Sequence, residues 1–134
     1  MKALKEITKI VSSACSAQSS VMAAYIFGSL AKGKSQNADV DVAVLLDSNC
    51  SQNFPILSFI TELELSLECH ADVVILNRAN ELLKYEVRRY GRLVFERSSE
   101  FRKYFEIQSR KRYEDFLYLH NRYVNTVLYR EKNG

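Results

Sequence analysis

The 134-residue sequence predicts an α/β (α+β) fold: a small mixed β-sheet with helices packed on it and a long C-terminal helix. Short β-rich apolar runs at 21–27, 40–46, 72–76 and 92–96 alternate with segments whose apolar residues follow a helical period. Cap and turn residues stand at the junctions between them. With one proline and four glycines there is no linker or low-complexity stretch, so residues 1–134 are expected to form one domain, with 98–131 as a C-terminal helical segment.

The elements follow in chain order. Residues 3–17 carry Leu4, Ile7, Ile10 or Val11 and Ala14 on one face, as an amphipathic helix requires. Ala24-Tyr25-Ile26-Phe27 ends a first buried strand at Gly28, and Val40 to Leu46 forms a second. Asn53, before Phe54-Pro55, is the expected start of a helix whose stripe of Ile56, Leu57, Ile60, Leu63 and Leu67 runs to about Glu68. After the strand at 72–76, Asn80 can cap a helix over 81–90 that Gly91 terminates. Arg92 to Glu96 reads as a short last strand, and Ser98 or Ser99 opens the final helix. One continuous helix of about thirty residues far exceeds the globular average. Its far half, with Phe116, Leu117, Leu119, Tyr123, Val124, Val127 and Leu128, either extends beyond the core as an interface or folds back as a helical hairpin on the sheet. Five of the eight tyrosines lie in this segment, where packing explains helical spacing better than self-modification does.

The chemistry concentrates between the first two strands. Side chains alternate along a strand, so Asp39 and Asp41 share one face while Val40, Val42 and Val44 line the other. Two carboxylates about 7 Å apart on one face repel. A hard divalent cation that also binds substrate phosphates removes that penalty. Gly28 lets the backbone turn and approach a phosphate, and Ser29 offers a hydroxyl and an amide. If Ser29 to Lys32 starts a short helix, its free N–H groups favour an anion, with Lys32 and Lys34 adding charge. Either feature alone is an ordinary turn or a solvated strand edge, but in this order between two apolar strands they are specific.

Gly28-Ser29-x-Ala31-x-Gly33 followed by Asp39-x-Asp41 resembles the signature of the DNA polymerase beta-type nucleotidyltransferase superfamily. The short chain is similar to the minimal nucleotidyltransferases, in particular the MntA-type antitoxins that accompany HEPN-domain toxins of the HepT type. The likeness is strongest over 21–46 and looser to about residue 96. It departs from the usual pattern at Lys32, where arginine is common, and at Ala38, where serine often precedes the first aspartate. Both departures bear on phosphate positioning and neither removes a metal ligand.

The resemblance implies a nucleotidyltransferase fold and a third carboxylate on a neighbouring strand, for which Asp72 is the candidate; an aspartate capping a strand edge is the plain alternative. Glu62, Glu64 and Glu68 are weaker candidates because they lie in a helical segment. It further implies Mg²⁺ in a two-metal arrangement on Asp39, Asp41 and Asp72, with Asp72 also serving as general base. ATP would be the substrate, held by Gly28, Ser29 and Lys32, and AMP would pass to a tyrosine of a HEPN (HepT-type) RNase toxin, an antitoxin activity within a hetero-oligomer. The absence of an acceptor-binding segment favours a protein acceptor. The alternatives are a non-catalytic inhibitor that occludes its partner, or a nucleotidyltransferase acting on a small molecule or an RNA end.

Composition excludes several classes. A net charge of +3 is too mild to argue for direct nucleic-acid binding. Arg110-Lys111-Arg112, like Arg88, Arg89 and Arg92, reads as solvated surface, although the latter three could steer an anion. Cys15, Cys50 and Cys69 are odd in number and form no zinc pattern with His70 or His120, so a reduced, cytoplasmic setting is expected. No signal peptide or membrane span is expected.

Overall fold

In the computed structural model, which describes residues 3–33, 39–48 and 53–133, the sheet is mixed and carries helices on both faces. The elements are α1 (Leu4–Ser16), β1 (Val21–Phe27), β2 (Val40–Leu46), α2 (Ile56–Leu67), β3 (Ala71–Ile75), a 3₁₀ turn (Leu76–Arg78), α3 (Glu81–Tyr90), β4 (Arg92–Glu96) and α4 (Ser99–Asn133). The strand order is β3-β2-β1-β4. β1 runs antiparallel to both β2 and β4, and β2 runs parallel to β3. The end of β1 and the starts of β2, β3 and β4 therefore meet along one edge of the sheet.

Strand alternation divides the core in two. Val40, Val42, Val44 and Leu46 face α1 and α2, where Ile7, Val11 and Cys15 and then Phe59, Leu63 and Leu67 recur every fourth residue. Each such large side chain, once fully buried, contributes about 1.5–3 kcal/mol. Burial also pushes the Cys15 thiol up to about 12, which leaves it unreactive. On the opposite face Ala23, Tyr25, Ala43 and Leu45 lie under Leu76, Val87 and the partly buried Leu83, Phe101 and Phe105.

Local signals set the helix ends, with some differences from expectation. Asn80 Oδ1 accepts from Leu83 N–H at 2.8 Å and starts α3 as expected. Gly91 ends it because a Cβ there would overlap the Val87 carbonyl oxygen. α2 starts at Ile56 with Pro55, not Asn53, at its cap, and Glu68 closes it in the left-handed region at φ 60°. The strand expected at 72–76 is Ala71–Ile75, because Leu76 turns into the 3₁₀ segment.

The last helix is continuous through Asn133, so the helical hairpin is not formed. Its first turns are tied to the body. Tyr25 OH donates to Glu106 Oε1 at 2.8 Å, Arg102 bridges Glu96 and Glu106, and Arg88 Nη1 donates to Ser109 Oγ at 2.9 Å. Tyr113 stacks on Tyr85 with centroids 4.2 Å apart. Past Tyr113, Phe116, Leu117, Tyr118, Leu119, Tyr123 and Leu128 are exposed. At 1.5 Å per residue the segment 114–133 is about 30 Å long. Among the described residues no helix is long and apolar enough to cross a membrane.

Candidate active site

Phe27, Asp41 and Asp72 are neighbours in one row across the sheet. Phe27 pairs with Asp41 between β1 and β2, and Asp41 pairs with Asp72 between β2 and β3. Paired residues project to the same face, so both carboxylates stand on the side covered by α3, at the edge where β1 ends. The Asp72 expected from the sequence is thus beside Asp41. The charge of Asp72 acts on Asp41 across this pairing.

The electrostatics follow from that pairing. Partial burial raises the Asp41 carboxyl above its ordinary range, and the charges of Asp72 and Asp39 add to the shift. Two carboxylates paired on one face of neighbouring strands repel unless a proton or a cation offsets the charge. This is the donor chemistry that a hard divalent ion satisfies. Among the described residues no three His, Cys, Asp or Glu side chains already converge on one metal position. Such an ion would take two protein carboxylates and complete its shell with substrate phosphates and water, as Mg²⁺ commonly does. Asp39, two residues before Asp41, is exposed, and its charge acts on Asp41.

The turn after β1 is built against this pair. Gly28 has φ +75°, and a Cβ on it would overlap Asp41 Oδ2, so glycine is required both for the conformation and for the close approach. Ser29 follows, half-buried. Residues 28–33 form a bend and turns rather than the short helix considered from the sequence. Lys32 N–H donates to Gly28 O at 3.3 Å, Gly33 N–H donates to Leu30 O at 3.1 Å, and Gly33 sits at φ +74°. Without a helix there is no macrodipole, and the anion-binding potential rests on backbone donors of the turn and on Lys32. Lys32 is exposed with its ammonium over the Tyr90 ring. Lys34, Ala38 and Cys50 lie outside the described residues.

Other sequence candidates stand elsewhere. Glu62, Glu64 and Glu68 belong to α2 and its end, which packs on the opposite face. Glu64 accepts the Ala71 N–H at 3.1 Å and pairs with His70 at 3.2 Å, and these bonds hold its carboxyl below the usual range. Arg88 is engaged with Ser109 and lies over the Tyr85 and Tyr113 rings. Sequence reasoning missed two features of the site. Arg92 Nε donates to Ala31 O at 3.3 Å and fastens the turn to β4, and Tyr90 stands beside the turn under Lys32. The only prior signal was cations clustered around Gly91.

Residues 7–100 match the family model described as Polymerase beta, Nucleotidyltransferase. The chain belongs to this family. The match runs from α1 through the start of α4 and includes the Gly28 turn and Asp39, Asp41 and Asp72 of this nucleotidyltransferase. No curated protein sequence matches the chain. Solved structures match in fold. A toxin–antitoxin structure with AMP-PNP is 19% identical, with 90% of this chain and 98% of that chain covered and a TM-score of 0.72. An MntA–HepT toxin–antitoxin structure is 18% identical, with 94% and 99% covered and a TM-score of 0.67. A structure from Shewanella oneidensis of a tri-AMPylated HEPN toxin in complex with MNT antitoxin is 19% identical, with 92% and 97% covered and a TM-score of 0.66. At these identities the likeness establishes the nucleotidyltransferase fold.

Proposed function

We propose that this nucleotidyltransferase is an antitoxin that transfers AMP from ATP to a tyrosine hydroxyl of a HEPN-type RNase toxin and so silences it. The observation that carries the transfer chemistry is the Gly28 turn seated against Asp41 with Asp72 in register beside it. The acceptor is supported by the fold shared with complexes of MNT antitoxin and HEPN toxin, one of them tri-AMPylated. The protruding half of α4 supports it too, since it offers a partner a long apolar surface.

The backbone of Gly28 and Ser29, with Lys32, grips the β- and γ-phosphates of ATP. Asp39, Asp41 and Asp72 would hold Mg²⁺, in a two-metal arrangement, and the bound ions would supply charge neutralisation at the phosphates. The acceptor oxygen attacks the α-phosphorus in line as the bond to the bridging oxygen breaks, and pyrophosphate departs with that electron pair. Asp72 receives the hydroxyl proton. Few side chains are needed because positioning and charge neutralisation supply most of the rate.

The whole chain, 1–134, acts as one domain with 98–131 as its C-terminal helical segment. A cytoplasmic setting fits an ATP-dependent reaction and the free thiol of Cys15. A second reading, inhibition by occlusion alone, draws on the same exposed helix. Incubation with the protein encoded next to this one separates the two: α-labelled but not γ-labelled ATP should label the partner, and no label with either would favour occlusion.

A further inference from the structure

The last turn of α3 brings a second set of charges to the phosphate turn. Lys32 Nζ lies 5.2 Å from the centroid of the Tyr90 ring, and the Arg89 guanidinium lies over the same ring at 5.9 Å. Tyr90 is about half exposed and is braced edge-on by Tyr85, which in turn stacks on Tyr113. The site is fixed to the strand end. Gly91 packs near Ile26 O, and Arg92 holds Ala31 O of the turn.

Neither Lys32 nor Arg89 has a carboxylate partner among the described residues. The C-terminal end of α3 accounts for a cation at Arg89. It does not account for Lys32, which comes from the turn after β1. Two cations without carboxylate partners, each attracted to the Tyr90 ring, leave a local excess of positive charge beside the turn that an anion offsets. A planar guanidinium and a mobile ammonium together suit adjacent phosphate groups.

We propose that Lys32, Arg89 and Tyr90 form the seat of the terminal phosphates of the nucleotide and retain the pyrophosphate leaving group. This rests on the nucleotidyl-transfer reading above and adds Arg89 and Tyr90 to it. As the bond from the α-phosphorus to the bridging oxygen breaks, the electron pair moves onto the pyrophosphate, and the two cations oppose that charge where it develops. Tyr90 holds them there and takes no proton. The same chemistry would also accept phosphates of a nucleic-acid acceptor, so both sources are measured.

The test is calorimetric titration, with Mg²⁺ and without any acceptor, of inorganic pyrophosphate, ATP, AMP and a single-stranded oligonucleotide into the full chain. Arg89→Gln and Tyr90→Leu should weaken pyrophosphate and ATP at least about tenfold and leave AMP within about twofold. Tyr90→Phe, which keeps the ring, should bind as the unaltered chain does. A role limited to the helix end would lower the melting temperature of Arg89→Gln and leave pyrophosphate binding intact, which overturns the proposal. Loss confined to the oligonucleotide overturns it as well. If the variants lose pyrophosphate while the unaltered chain labels no protein partner, the seat stands and the choice of acceptor falls.

Discussion

Replacing Gly28 with alanine tests whether the turn and the carboxylates form one device. Gly28 lies at φ +75°, a region that costs an L-residue with a Cβ about 1–2 kcal/mol. The new methyl would also overlap Asp41 Oδ2 and sit 3.3 Å from its carboxyl carbon. Asp41 is partly exposed and can rotate away, at an off-rotamer cost of about 0.5–1.5 kcal/mol. The sum, about 1.5–3.5 kcal/mol, lowers the melting temperature by about 5–15 °C for a chain of this size. Rotation also separates Asp41 from Asp72, and a displacement near 1 Å at such a site costs about a hundredfold in rate. Thermal unfolding of four proteins separates the two terms: the unaltered chain, Gly28→Ala, Asp41→Ala and the double variant. Without the carboxylate, Gly28→Ala should cost only the backbone term, giving a coupling of about 0.5–1.5 kcal/mol. Equal costs in the two backgrounds would refute the contact between turn and carboxylate, and an unchanged melting temperature would refute the strained turn.

Asp41→Asn should raise the melting temperature of the metal-free protein by a few degrees, because like charges directly opposite on neighbouring strands cost up to about 1 kcal/mol, while it abolishes transfer. The raised carboxyl of Asp41 means the native state binds more protons than the unfolded chain between the ordinary carboxylate range and the folded value. Stability therefore falls as pH rises through that window, and the slope should flatten in Asp41→Asn melts taken across the acid range. Removing residues 114–134 should change the unfolding free energy by less than about 1 kcal/mol, since the side chains described there are mostly exposed, yet abolish co-purification with the partner. A large loss of stability in that truncation would place the segment in the core.

Much of the fold was legible because each junction carries a local cause. β1, β2, α3 and β4 end where expected, since Gly28, Asn80 and Gly91 act through geometry available within a few residues. The start of α2 shifted because Phe54 is buried in the core and Pro55 takes the cap, a tertiary preference that outranks the capping tendency of Asn53. The helix considered at 29–32 did not form; two left-handed glycines five residues apart favour turns over helix. At the site, Asp39 and Asp41 were legible from alternation. The register that sets Asp72 against Asp41 belongs to a parallel pair joined through α2, and no local pattern encodes it. The contacts of Arg92 with Ala31 and of Lys32 with Tyr90 span about sixty residues and are likewise products of the assembled fold.

The most direct measurement is transfer from ATP labelled at the α-phosphate, with Mg²⁺, to the protein encoded next to this one, followed by peptide mapping and an RNase assay of the partner. The expected result is AMP on a partner tyrosine and loss of RNase activity, both absent with the Asp39→Asn/Asp41→Asn double variant. Full inhibition by that double variant with no AMP on the partner would contradict transfer as the basis of neutralisation.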